Sequence, residues 1–178
     1  TIERVSEKLN YFVKDSYLKA GFSRVMVGHL NLRRQYVQAT LALDVGGRKH
    51  PFQWIHQFND ISFDYILEQS TKRLPGYMIS HEKFLKLKNL DETGNSEYLK
   101  TLRVYLDNHL NAVQSARILF IHRSTFLYRL EKIKSVLETE FSDPRDILYL
   151  MLSFRFIDLE NQGYDEADEA DGDAMKKQ

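Results

Sequence analysis

Apolar residues recur along the chain at two periods. Ile2, Val5, Leu9, Phe12 or Val13, and Tyr17 fall on one face at helical spacing and predict a helix over residues 2–19, closed by Gly21. Residues 22–28 (FSRVMVG) alternate at period two and predict a short strand. Asn31 stands where an N-cap belongs, ahead of a helix to Val45 with Leu32, Tyr36, Ala39 and Leu43 inward. Gly46 and Gly47 are expected to stop it. Residues 52–58 (FQWIHQF) form a second strand candidate. Asn59 and Asp60 cap a helix over Ile61–Thr71, Pro75-Gly76 is a turn, and Ser80–Leu90 is another short helix. The stretch 91–95 (DETGN) is polar and turn-prone, and a domain boundary is placed there.

Beyond Ser96 the pattern is helical throughout. Residues 96–108 carry Leu99, Leu102, Tyr105 or Leu106, and Leu110 as a core stripe. Asn111 caps a short helix to Leu119. A further helix starts near His122 and runs to about Thr139. Asp143 followed by Pro144 is an N-cap with proline at the first helical position, opening a helix through Leu159. Gly163 is expected to end order before an acidic tail. The fold class is therefore mainly α with a small β component: a truncated α/β part, then an all-α domain. The expected divisions are a partial regulatory domain at 1–78, a connector at 79–95, a helical domain at 96–160, and a disordered acidic tail at 161–178.

Composition narrows the function classes. The chain has 178 residues, 43% of them hydrophobic, which suffices for a real core. It contains no cysteine, so disulfides, thiolate metal sites and catalytic thiols are excluded. Apolar runs such as Ile118–Ile121 are too short to span a membrane, and no leader pattern opens the chain. The sequence begins inside a helix without Met and reads as a fragment of a longer protein, cytoplasmic by default. Formal charge is zero, yet it is unevenly spread. Residues 165–173 hold Asp165, Glu166, Asp168, Glu169, Asp171 and Asp173 with no base, whereas residues 117–134 set Arg117, Arg123, Arg129, Lys132 and Lys134 against Glu131 alone.

The basic segment has helix-turn-helix mechanics. Val113, Ala116 and Leu119 make the inner face of a two-turn helix, Ala116 is small where a second helix crosses, and Ile121 plugs the turn. The next helix buries Phe126, Leu130, Ile133 and Leu137, at spacings of four, three and four. At 100° per residue the opposite face holds Ser124, Thr125, Tyr128, Lys132 and Ser135, flanked by Arg123 and Arg129. Donors, hydroxyls and an aromatic suit a phosphate-lined major groove. Without its neighbours such a segment would equally describe a helical hairpin in a bundle. The whole stretch NAVQSARILFIHRSTFLYRLEK over 111–132 resembles the Fis-type helix-turn-helix, N-x4-A-x2-L-x-I-x-R-x-T-x3-R-L, except that Phe120 replaces the usual glycine of the turn.

The surroundings extend the resemblance. EYLKTLRVYL over 97–106, LFIHRST over 119–125, LYRLEKI over 127–133 and the Asp143-Pro144 pair look like the C-terminal domain of the PucR/CdaR family of bacterial transcriptional regulators. In that family an aromatic before the Ile-His-Arg step is familiar. The resemblance covers roughly residues 80–160 and implies sequence-specific binding of double-stranded DNA by a homodimer or larger assembly. A small-molecule effector would be sensed by an upstream domain outside this chain. Arg123, Ser124, Thr125, Tyr128 and Arg129 match recognition-helix positions, with Lys132 on the same face; Asn111 and Gln114 match the start of the supporting helix. Residues 1–78 resemble part of the family's middle domain, similar to a degenerate GGDEF-like fold, without the GGDEF motif.

Other chemistry is set aside. None of the six histidines pairs with another at i+4, and a surface or capping role is expected for each. His81-Glu82 begins like a zincin motif, but Leu85 takes the place of its second histidine. No G-x-S-x-G elbow occurs. Gly46-Gly47-Arg48 reads as a helix end rather than a phosphate loop. The expectation is no enzyme, no cofactor, no metal and no catalytic residue. The rival readings are a nucleotide-binding or cyclase-like module in residues 1–78, and a basic helix that contacts protein instead of DNA.

Overall fold

The computed structural model describes residues 2–28, 31–94 and 96–175, and the side chains of residues 9–28, 31–94 and 96–161. The side chains of Ile2, Val5 and the acidic segment 165–173 lie outside the described residues. The chain divides into two compact units, residues 1–70 and 71–178.

The first unit is a small β–α–β arrangement flanked by helices. Helix α1 spans Ile2–Asp15, strand β1 Ala20–Phe22, helix α2 Leu32–Lys49, strand β2 Ile55–Gln57 and helix α3 Phe58–Thr71. The two strands pair in parallel, with Ala20 opposite Ile55 and Phe22 opposite Gln57. Parallel strands need a crossover, and α2 supplies it. Two glycines let the layers touch. A Cβ on Gly21 would collide with the Ala39 carbonyl oxygen, and one on Gly46 would sit 2.6 Å from His56 Nδ1.

That close crossing accounts for several departures from the sequence reading. Helix α2 does not stop at Gly46-Gly47 but continues to Lys49, because Gly46 is the crossing point over His56. Its buried face is Ala42, Val45 and Gly46, whereas Leu32, Tyr36 and Leu43 are exposed. Asn31 precedes α2 but makes no side-chain cap; its amide donates to the Val27 carbonyl instead. The first strand is Ala20–Phe22 rather than residues 22–28, so Gly21 lies within the strand and does not close a helix. Beyond Phe22 the backbone is tied to α2 by Gln38, which accepts from the Arg24 N–H, and by Gln35, which donates to the Met26 carbonyl. Val25 and Val27 are consequently solvent-exposed.

The second unit is all helix: α4 Gly76–Ile79, α5 Glu82–Gly94, α6 Tyr98–Asp107, α7 Ala112–Ile118, α8 Arg123–Leu137 and α9 Pro144–Met175. One core joins Phe84 and Leu87 of α5, Leu102 and Leu106 of α6, Ala116 of α7, the α8 stripe, and Leu150 and Phe154 of α9. Helix α5 is thus part of this core and not a connector. The polar stretch after Leu90 is not a linker either. Asp91 sits inside α5, and its carboxylate accepts from Ser96 Oγ at 2.6 Å and from the Tyr98 and Leu99 N–H groups at 2.8 and 2.7 Å. An acid at a helix start satisfies orphan N–H groups and complements the dipole, so Asp91 caps α6 from the preceding helix. Asp143 caps α9 as its Asp-Pro pair predicts, accepting from the Arg145 N–H at 2.9 Å. Helix α9 runs through Gly163 to Met175. An interior glycine costs about 1 kcal/mol but does not forbid a helix, and Ala and Glu around it favour one. The structure is mainly α with a small β component.

Candidate nucleic-acid interface

The supporting helix α7 is held at its start by Asn111, whose Oδ1 accepts from the Val113 and Gln114 N–H groups at 3.1 and 3.0 Å. Its inner face is Ser115 and Ala116, both buried, with Ala112 and Leu119 packed against the core. The expected inward Val113 is 44% exposed. The true face runs 112, 115, 116, 119, the i, i+3, i+4, i+7 pattern. Ser115 can occupy it because its hydroxyl donates to the Asn111 carbonyl at 2.7 Å.

The turn is a left-handed helix cap. The Phe120 N–H bonds to the Arg117 carbonyl and the Ile121 N–H to the Ala116 carbonyl, both at 3.1 Å. This is the Schellman pattern, which places the residue after the C-cap in the αL region. Phe120 occupies it with φ 54° and is 95% exposed. Ile121 then turns back onto the core.

Helix α8 buries Phe126, Leu130, Ile133 and Leu137, the stripe its sequence predicts. That fixes the phase, so Arg123, Ser124, Thr125, Tyr128, Lys132 and Ser135 are exposed together. Lys132 Nζ lies 5.9 Å above the Tyr128 ring. His122 is the N-cap, with Nδ1 accepting from the Ser124 N–H at 3.3 Å and 2.7 Å from Ser124 Oγ.

Two basic residues of the segment are turned to other work. Arg129 Nη1 is 3.0 Å from Glu97 and 3.3 Å from Thr101 Oγ1, both at the start of α6. Bonds from Lys100 and then Arg129 hold the Glu97 carboxyl below the usual carboxylate range. Lys134 is bonded to Glu140 at 2.9 Å with Glu131 at 3.6 Å, and the Glu140 bond raises its ammonium above the usual lysine value. Among the described residues Arg117, Arg123 and Lys132 make no ion pair. The structure therefore gathers Arg123, Ser124, Thr125, Tyr128 and Lys132 on one exposed face, and leaves Gln114 exposed on α7. It commits Asn111 to a cap and Arg129 to α6. Sequence reasoning missed the roles of Glu97 and Thr101, which nothing local sets apart from the other polar residues of α6, Lys100, Arg103 and Asp107; Arg117, counted in the basic segment but not placed on the DNA face, is exposed in the last turn of α7. Among the other histidines, His81 pairs with Asp146 at 3.1 Å, whereas His56 is buried rather than surface or capping.

Among the described residues no group of three or more His, Cys, Asp or Glu side chains is arranged to hold a metal, and no helix is long and apolar enough to cross a membrane.

Residues 98–156 match the PucR C-terminal helix-turn-helix domain. The chain is 26% identical over 156 residues to the purine catabolism regulatory protein of Bacillus subtilis (strain 168), covering 86% of this chain and 25% of that protein. It is 39% identical over 66 residues to the proline-responsive transcriptional activator PutR of the same organism, covering 37% of this chain and 16% of PutR. The chain thus spans a quarter or less of the curated relatives it matches. No solved structure matches it.

Proposed function

We propose, from the premise that residues 98–156 are a PucR-family helix-turn-helix domain and the chain a transcriptional regulator of that family, that α8 reads the major groove of double-stranded DNA. One observation carries this reading. The whole apolar stripe of α8 is consumed by the core, so its opposite face is left to Arg123, Ser124, Thr125, Tyr128 and Lys132. Arginine and hydroxyl side chains at a helix start can reach base edges, while lysine contacts phosphate. Asn111 and Gln114 set the start of the supporting helix against the backbone. Arg129 acts as a positioning residue that seats α8 on α6.

The finer reading is a cytoplasmic homodimer whose effector is sensed by a domain upstream. A lone helix-turn-helix reads few base pairs, and paired modules gain by high effective concentration over two half-sites. Residues 1–78 are read as part of a GGDEF-like regulatory domain. Exposed Val25, Val27 and Phe52 support a role for it in self-association. Light scattering at micromolar concentration tests this, and a monomer would refute it.

The DNA reading is tested by selecting bound sequences from a random pool and measuring Arg123→Ala on the selected site. The expected loss is about 1–3 kcal/mol on cognate DNA, the range for a bidentate base contact. An unchanged affinity on cognate and scrambled DNA, with the helical content retained, would overturn the assignment of α8.

A further inference from the structure

The cap of α8 is unusual. Serine, threonine, aspartate and asparagine are the common N-cap residues, and each ends at the cap. His122 has a second ring nitrogen on the opposite edge. Its side chain is exposed, and Nδ1 is engaged by Ser124 at both the backbone N–H and the hydroxyl. A backbone N–H can only donate, so Nδ1 must be the accepting, unprotonated nitrogen. In a neutral imidazole the proton then resides on Nε2. The cap therefore fixes three things together: the start of the helix, the ring orientation and the tautomer.

We propose that His122 is a DNA-contacting residue whose Nε2–H, held in place by the Nδ1–Ser124 cap, donates to an acceptor on the nucleic acid. This rests on the DNA-binding reading above. The ring precedes Arg123, Ser124 and Thr125 on the same helix start, where N–H groups and the positive dipole end favour an approaching phosphate. The acceptor is a phosphate oxygen or the N7/O6 edge of a purine, which offer the same chemistry to an N–H donor. The bond between Ser124 and Nδ1 does for this ring what a second partner does for a metal-bound histidine: it selects which nitrogen faces the ligand.

Two variants separate the cap from the contact. His122→Ser keeps an N-cap oxygen but has no ring donor. His122→Asn keeps the cap and offers an amide N–H₂. The expected result for His122→Ser is an unchanged thermal midpoint with DNA affinity lower by about fivefold, the loss of one hydrogen bond; His122→Asn should retain the midpoint and recover part of the affinity. Equal weakening on cognate and scrambled DNA identifies the phosphate, and weakening on cognate DNA alone identifies the base edge. Nitrogen-15 NMR of the chain supplies an independent readout, with the proton expected on Nε2 and that resonance moving when DNA is added. A proton on Nδ1 would overturn the proposal. So would unchanged affinity in both variants while wild type binds and Arg123→Ala weakens. If wild type binds no selected DNA, the DNA reading itself fails, and the tautomer measurement still reports on the cap separately.

Discussion

Phe120 offers a measurement that isolates backbone strain from side-chain contact. It sits in the left-handed region at φ 54°, with its ring 95% exposed. For an L-residue that region costs about 1–2 kcal/mol. Glycine removes the cost but loses about 0.5–1 kcal/mol more chain entropy on folding. The net expectation for Phe120→Gly is a stabilisation of about 0.5–1 kcal/mol. For a small helical unit this raises the thermal midpoint by about 2–6 °C. Phe120→Ala is the control. It keeps a Cβ in the strained region and removes only a ring that buries almost nothing, so its stability should stay within about 0.5 kcal/mol of wild type. The assay is thermal unfolding of the three proteins followed by circular dichroism. If Phe120→Gly is no more stable than Phe120→Ala, the turn does not hold residue 120 at positive φ. If Phe120→Ala falls well below wild type, the ring is packed and the exposed placement is wrong.

Two other outcomes probe the phase of α8 and the crossing in the first unit. Leu130, in the middle of the buried stripe, should cost about 2–5 kcal/mol on conversion to alanine, whereas Lys132→Ala should stay within about 0.5 kcal/mol; comparable thermal midpoints would put the helix out of phase. Burial, then the neighbouring Lys19 and His50, holds His56 below the usual histidine value, so the folded unit favours its neutral ring. Its contribution is present above about pH 6.5 and is lost as the pH falls through the lowered value in the folded state. Hydrogen exchange in α2 should therefore accelerate on acidification, and exchange that is independent of pH after correction for intrinsic rates would contradict this.

What could be read from the sequence follows from how far each determinant reaches. The α8 stripe and the Asn111 and Asp143 caps are set by residues within a few positions of one another, and all agree with the structure. The small parallel sheet is set by partners more than thirty positions apart, so alternation alone placed its first strand too late, over a stretch in which Val25 and Val27 are exposed. In α2 the governing contact is Gly46 against His56. A glycine pair ordinarily signals a helix end, and nothing local marks Gly46 as a crossing. The α7 face was missed by one position because Ser115 counts as polar until its hydroxyl is seen bonding back to Asn111. Asp91 was read as a breaker for the same reason: its partners belong to the next helix.

The same distinction alters the charge available to DNA and gives a prediction of its own. Counting residues, the segment 117–134 presents Arg117, Arg123, Arg129, Lys132 and Lys134. Geometry withdraws Arg129, held by Glu97 and Thr101, and Lys134, held by Glu140 and Glu131. A cation already paired within the protein releases fewer DNA counterions on binding, because contacting a phosphate would first require breaking its pair. Each phosphate neutralised contributes about 0.9 to the slope of log affinity against log salt. Lys132→Ala should therefore reduce that slope by up to about 0.9 per bound chain. Arg129→Ala should leave the slope unchanged, while lowering affinity on all DNA through a less firmly seated helix. Fluorescence anisotropy titrations across a series of salt concentrations measure both. A slope that falls equally for the two variants would mean Arg129 leaves Glu97 to meet the phosphate backbone, returning it from a positioning role to the DNA face its place in the sequence first suggested.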